Sequence, residues 1–189
     1  MFDRFFDILS VLFWAVAYLI IIYVGLRYRN ENRKAMPYFP GAINLSWEAT
    51  AFLTFSLFGH IIWFFTDLII FFINFKSIRK KKYRILYIFL PIPLSLFFYF
   101  VFLFIENGML ISSFIIDLFM AIVFVLTFKN ISERFRTTIG LLKLFGDCSA
   151  MLSYMNNSPI IIVIGVIVLL LNLYYVINSA YYCIKKKHP

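Results

Sequence analysis

The chain has 189 residues, of which 63% are hydrophobic and 14% are charged, and its mean hydropathy is +0.90. This composition cannot cover a water-soluble surface, so it excludes a soluble globular protein and predicts one polytopic membrane domain over residues 1–189. The net charge of +9 would suggest a nucleic-acid partner in a soluble protein. Here the cations fall in short loops, as the positive-inside rule predicts, and we expect no nucleic-acid partner.

Short charged segments divide the chain into six apolar stretches, of which the second is long enough for two helices. The sequence therefore predicts an all-α integral-membrane fold, a bundle of seven transmembrane helices. The first stretch is longer than a signal peptide and lacks the small-residue cleavage pattern, so we expect it to remain as a helix. The predicted helices are Phe5–Gly25, Ala42–Phe58, Ile61–Phe75, Ile85–Ile105, Leu110–Phe128, Thr137–Met155 and Ile160–Ile184.

The segment from Lys34 to Lys76 predicts two helices rather than one. A single helix would be about 60 Å long at roughly 1.5 Å per residue, twice the hydrocarbon core of roughly 30 Å. Two helices folded back near Gly59 and His60 also place every basic loop in the cytoplasm, with the N-terminus outside and the C-terminus cytoplasmic. We interpret His60 as a turn residue in contact with water, and we expect the protein in the bacterial cytoplasmic membrane.

Two of the predicted helices are irregular. Pro91 and Pro93 fall inside the fourth, where proline interrupts the backbone hydrogen bonds, so we expect that helix to be bent. The sixth is amphipathic in its cytoplasmic half. Its Lys143 is expected to extend towards the inner headgroups.

Four carboxylates lie inside predicted helices, where a charge costs at least a few kcal/mol. Counted from the outer surface, Glu48, Asp67, Asp117 and Asp147 are all roughly 10 to 17 Å deep at the helical rise. Four acids in one layer predict a shared cavity that opens outwards, with Asn172 slightly deeper. The alternative for each acid is an interhelical hydrogen bond with no further role.

The second and third helices add neighbours to two of these acids. Asn44 and Glu48 are four residues apart, as are Trp63 and Asp67, so each pair shares a helix face. Burial beside a like charge disfavours an ionised carboxyl group, and we expect a protonated Glu48. An acid among aromatic rings suits a reaction that forms a carbocation, because ring faces attract cations.

The segment Asn44-Leu-Ser-Trp47-Glu48, followed by Trp63-Phe-Phe-Thr-Asp67, resembles the integral-membrane terpene cyclases of meroterpenoid pathways. Members of that family are small seven-helix proteins with an Asn-x-x-Trp-Glu motif and, on the next helix, a Trp-x-x-x-Asp motif. The resemblance implies that Glu48 protonates a terminal epoxide or alkene of an isoprenoid and starts a cyclisation. It implies no metal and no cofactor.

The resemblance also implies a second acid on the last helix, where this chain has Asn172. An amide does not donate a proton as a carboxylic acid does. Either Asp67, Asp117 or Asp147 therefore substitutes for it, or the scaffold has lost the reaction. The site expected from these arguments has four catalytic acids and five substrate-binding residues: Glu48, Asp67, Asp117 and Asp147, with Asn44, Trp47, Trp63, Asn172 and Tyr175.

The leading hypothesis is a proton-initiated cyclase or isomerase whose partners are a lipophilic, isoprenoid-type small molecule and the membrane lipids. One alternative is a protein that binds or transports a proton, a cation or a cationic amphiphile through its acids. Another is a membrane accessory or immunity protein on the same scaffold. We find no internal repeat, which weighs against a transporter built from inverted repeats.

Overall fold

A computed structural model of the protein describes residues 2–27, 38–55, 58–128 and 135–187, and these residues form eight α-helices and no strand. The predicted all-α fold is confirmed for this part of the chain. The helices are α1 (Phe2–Arg27), α2 (Tyr38–Phe55), α3 (Phe58–Ser77), α4 (Lys81–Phe89), α5 (Pro91–Phe104), α6 (Gly108–Leu126), α7 (Arg136–Tyr154) and α8 (Pro159–Lys187). Helices α4 and α5 together correspond to the fourth predicted helix, so the seven predicted segments are all present.

The interruption between α4 and α5 lies where the two prolines predicted a bend. The Leu90 amide still donates to the Leu86 carbonyl at 3.1 Å. Pro91 is then the first residue of α5 and has no amide hydrogen to continue that ladder, so the helix restarts at this residue.

The segment after α1 folds into two helices, as predicted. Helix α2 ends at Phe55 and α3 begins at Phe58, and the two helices pack against each other. The predicted turn near Gly59 and His60 was placed too far along the chain, since both residues belong to the first turn of α3.

The chain packs as two compact units. The first unit contains residues 1–35 and 117–189, and in it α7 packs against α1 and α8. The second unit contains residues 36–116, and in it α2 packs against α3 and α5. The single membrane domain over residues 1–189 stays a prediction.

By length and composition, five of the described helical segments can cross a membrane: Arg4–Arg27, His60–Ser77, Lys81–Phe104, Gly108–Leu126 and Pro159–Lys185. Large apolar side chains are highly exposed on several helices; Leu53, Phe104 and Leu126 are each 77% exposed. Lipid contact accounts for such surfaces. These are the properties of an integral membrane protein. The seven spans and their orientation stay predictions, and the basic loops at 28–37 and 129–134 lie outside the described residues.

Candidate functional site

Glu48 is paired with a histidine that the sequence interpretation had placed in a wet turn. The Glu48 Oε2 atom on α2 lies 2.6 Å from the Nδ1 atom of His60 on α3. The two side chains are 12% and 22% exposed, respectively. At this distance one proton lies between a carboxyl oxygen and an imidazole nitrogen, so the two groups share a short hydrogen bond.

Trp47 forms an aromatic wall beside this pair. Its ring centroid lies 5.4 Å from that of His60 and 5.7 Å from that of Phe102, both in edge-to-face arrangements. Its indole nitrogen donates to Ser112 Oγ at 2.8 Å, and that hydroxyl donates in turn to the Met109 carbonyl at 2.9 Å. Trp47 is therefore buried and fixed in orientation, which gives the pair a rigid aromatic neighbour.

A second close approach of the two helices lies further along the α2–α3 interface. A Cβ atom built on Gly41 would lie 3.1 Å from the Asn74 Nδ2 atom, so the two helices approach closely there. On α3, His60, Asp67 and Asn74 are spaced seven residues apart and therefore share a face. The face of α3 that packs on α2 thus carries a line of three polar side chains.

The remaining motif residues lie between these two contacts. Asp67 is fully buried on α3, and Asn44 is half-buried on α2. Each falls about midway between the contacts on its own helix, and Trp63 lies half-buried one turn before Asp67. The two sequence motifs are therefore brought to the same helix interface in the second unit. Their roles as catalytic and substrate-binding residues stay predictions.

The first unit contains a separate buried ionic cluster. Lys143 Nζ donates to Asp147 Oδ2 at 2.7 Å, one turn further along α7. Asn172 on α8 donates through Nδ2 to the same oxygen at 2.6 Å. All three residues are buried. The expected extension of Lys143 towards the headgroups is wrong, because an acid one turn away holds its ammonium group inside the unit.

Helix α1 closes this cluster with an aromatic ring. The Lys143 ammonium lies 4.8 Å from the centre of the Trp14 ring, within cation–π range. A Cβ atom on Gly146 would lie 2.8 Å from Trp14 Cδ1. Only glycine leaves room for the indole against α7 at this position, and the indole in turn covers the lysine.

Asp117 on α6 also belongs to the first unit and lies within electrostatic range of Asp147 and Lys143. Tyr175 on α8 is buried, and its ring packs edge-to-face against Phe124 and Phe128 at 5.7 and 5.6 Å. This aromatic cluster gives Tyr175 a packing role. Its assignment as a substrate-binding residue stays a prediction.

The structure thus brings the four acids together in two sets. Glu48 and Asp67 lie in the second unit, and Asp117 and Asp147 lie in the first. The cavity shared by all four stays a prediction. Asn172, which stands where the resemblance implies a second acid, donates to Asp147, so a carboxyl group is present beside that position and comes from α7.

Two grooves lie away from these acids. One, of about 550 Å³, is lined by α2 and α5; on α2, Thr50, Leu53 and Thr54 lie two to six residues after Glu48, on the opposite face at roughly 100° per residue. The other, of about 420 Å³, is apolar and lies between α7 and α8. No acid is among the residues that line these two grooves.

Sequence reasoning missed His60 and Lys143 as partners of the acids. For Lys143 a signal was available, since Lys143 and Asp147 have the i, i+4 spacing of a helical ion pair. For His60 the spacing carried no such signal, because its contact with Glu48 depends on the register between two helices.

Comparison of the chain with protein-family models, with curated proteins and with solved structures finds no match. The resemblance to the membrane terpene cyclases therefore depends on the motif residues alone.

Proposed function

We propose that this protein is a membrane-embedded acid catalyst, a cyclase or isomerase of an isoprenoid-type lipophilic substrate in the bacterial cytoplasmic membrane. The observation that carries the proposal is the 2.6 Å contact between Glu48 Oε2 and His60 Nδ1 beside the fixed ring of Trp47. A shared proton, an aromatic wall and partial exposure of both groups are the requirements of a general acid that meets an apolar substrate.

The proposed reaction needs no other reactant. The Glu48–His60 pair donates its proton to an epoxide oxygen as a carbon–oxygen bond breaks. An alkene of the same substrate attacks the resulting cation and closes a ring. Loss of a proton from the cyclised cation to a base then yields an isomer of the same mass, and aromatic faces stabilise the intermediate cation.

Two observations bear on the choice between hypotheses. Asp147, one of the acids that a cation transporter would use, already has the chain's own Lys143 as its counter-ion at 2.7 Å. A second, external cation would have to displace it. The Glu48–His60 pair is in turn suited to proton transfer, since its proton can reside on either partner.

The test is conversion of substrate in membranes that contain the protein. A panel of isoprenoids and prenylated aromatics, with their epoxides, is incubated with the wild type. The products are then separated, and their masses are measured by mass spectrometry. We expect a cyclised isomer of unchanged mass. Glu48→Gln should lower turnover by about 10² to 10⁴, the range typical of a lost general acid, because an amide of the same shape has no acidic proton.

Two further variants sharpen the result. His60→Gln keeps the carboxyl group but removes the imidazole that shares its proton, so it should lower turnover. Glu106→Gln changes an exposed acid outside the site and should leave turnover unchanged. A wild type that forms no isomer from any substrate of the panel, or a folded Glu48→Gln variant with full turnover, contradicts the proposal.

A further inference from the structure

The groove between α2 and α5 in the second unit has two hydroxyl groups in its lining that lie close together, those of Thr50 and Ser95. Thr50 Oγ1 donates to the Ser46 carbonyl at 2.8 Å and lies 3.3 Å from the Ser95 carbonyl. Ser95 Oγ also donates to the Ser46 carbonyl, at 3.3 Å. Because both hydroxyl oxygens lie within 3.3 Å of the same carbonyl oxygen, one small polar group in the groove can reach both.

These two hydroxyl groups are suited to accept a hydrogen bond from an occupant. Each has a single proton, which is directed at a backbone carbonyl, and each oxygen keeps two acceptor lone pairs. The hydroxyl groups of Thr54 and Tyr99 also line the groove, and each can donate as well as accept. The groove therefore presents both acceptors and donors to one occupant.

The rest of the lining is apolar and accessible from the lipid. Leu53, Ile92 and Leu96 belong to it, and all three side chains are more than half exposed. The α5 residues of the groove lie within the segment Lys81–Phe104, which is long and apolar enough to cross a membrane. The hydrocarbon region contains almost no water to bind the hydroxyl oxygens, so a molecule dissolved in the bilayer is the occupant that can satisfy them.

The side chains of the groove select a neutral head group on that molecule. The described residues that line it include no acid, lysine, arginine or histidine, so a phosphate or an ammonium group would enter without a counter-ion, which is costly in an apolar site. A hydroxyl group is neutral and both donates and accepts. The groove volume of about 550 Å³ falls within the range of roughly 300–1,000 Å³ that is typical of small-molecule sites.

We propose that the α2–α5 groove binds a lipophilic alcohol from the bilayer. The hydroxyl group of the alcohol donates to the oxygens of Thr50 and Ser95, and its hydrocarbon chain packs along Leu53 and Leu96. The site lies on the face of α2 opposite to Glu48, so it is separate from the Glu48–His60 pair and does not rest on the proposed function.

Photolabelling of the purified protein in lipid vesicles tests the proposal. One probe is hexadecanol with a photoreactive diazirine on its chain, and the other is the methyl ether of the same molecule, which cannot donate a hydrogen bond. Mass spectrometry of peptides should show that the alcohol labels α2 and α5 at the groove about 3- to 10-fold more than the ether does, the ratio that one hydrogen bond supplies. Equal labelling by the two probes means that the groove accepts any lipid chain, and it overturns the proposal.

Two variants locate the hydrogen bond. Thr50→Val replaces one acceptor with a methyl group in a side chain of the same shape, and it should lower the preference for the alcohol over the ether. Ser95→Ala should do the same, and it keeps the test valid if Thr50→Val does not fold. Thr66→Val is the matched control, because the Thr66 hydroxyl on α3 also donates to carbonyls of its own helix but does not line the groove; the preference should be unchanged. A full preference for the alcohol in either folded groove variant overturns the proposal.

Discussion

Asp147 shows how a single side chain can connect two helices in this protein. One of its oxygens accepts hydrogen bonds from Lys143 on its own helix and from Asn172 on α8. Glu48 has the same function in the second unit, where it joins α2 to His60 on α3. Asp147 is buried, so water does not compete for its hydrogen bonds, and removing one partner costs more than the pair contributes on balance.

This asymmetry gives a prediction for the Lys143–Asp147 pair. Lys143→Met leaves Asp147 buried without its counter-ion, and the free energy of unfolding should fall by about 3–5 kcal/mol. The double variant Lys143→Met/Asp147→Leu replaces both charges with apolar groups and should recover most of that loss. Denaturant unfolding in mixed micelles measures both values.

The control for that experiment is Lys82→Met, which changes an exposed lysine of α4 and should stay within about 0.5 kcal/mol of the wild type. If the double variant is as unstable as the single one, the loss comes from packing around residue 143 and the ion pair is not its cause.

At the scale of elements, α7 is the central helix of the first unit, since it packs on both α1 and α8. Its small residue Gly146 admits Trp14 of α1, and near its C-terminal end the Tyr154 hydroxyl donates to Asp7 Oδ1 of α1 at 2.9 Å. The helix therefore contacts α1 through the close packing of Trp14 on Gly146 and through the Tyr154–Asp7 hydrogen bond. Close packing around small residues is a main source of helix association in membranes.

Gly146→Ala tests the packing of α1 on α7. The added Cβ atom would lie 2.8 Å from Trp14 Cδ1, on a rigid ring, so the indole or the helix must move. We expect a loss of about 1–3 kcal/mol in the free energy of unfolding. A fluorescence change of Trp14 should accompany it, because the ring is displaced from Lys143.

Gly165→Ala in α8 is the matched control. Its Cβ atom would meet Met151 Cγ at 2.6 Å, which is an even closer contact, but the thioether chain is flexible and can move aside. The loss should be smaller than for Gly146→Ala. Equal losses in the two variants would mean that the rigidity of the Trp14 ring does not matter.

At the scale of the whole molecule, α2 and α7 are the two helices of the predicted seven that are not among the five segments long and apolar enough to cross a membrane. They are also the helices that carry Glu48 and the Lys143–Asp147 pair. A helix whose polar side chains face other helices does not need a uniformly apolar surface. We therefore expect both to cross the membrane.

Reporter fusions test this topology. With seven spans, a reporter at Gly59 should be outside the cell and one at Lys81 in the cytoplasm, with the N-terminus outside. Protease protection in intact cells and in inverted vesicles measures the side. If the reporters at Gly59 and Lys81 are on the same side, α3 does not cross the membrane. A cytoplasmic N-terminus would contradict the predicted orientation.

The sequence by itself determined the membrane class, the seven helical segments and the interruption near Pro91. These properties are local, since hydropathy over about twenty residues selects a span and a proline interrupts the helix in which it stands. The spacing of Asn44 and Glu48, and that of Trp63 and Asp67, likewise placed each pair on one face of its own helix. Helix periodicity alone was enough for that inference.

Only the tertiary structure decided which groups the acids contact. The pairing of Glu48 with His60 depends on how α2 and α3 are rotated and aligned, and the joint contact of Lys143 and Asn172 with Asp147 depends on the packing of α7 against α8. Sequence spacing contains neither the rotation nor the alignment of two helices. Those contacts determine what each carboxyl group can do, because a buried carboxyl group is an acid or a counter-ion according to the partner within about 3 Å of it.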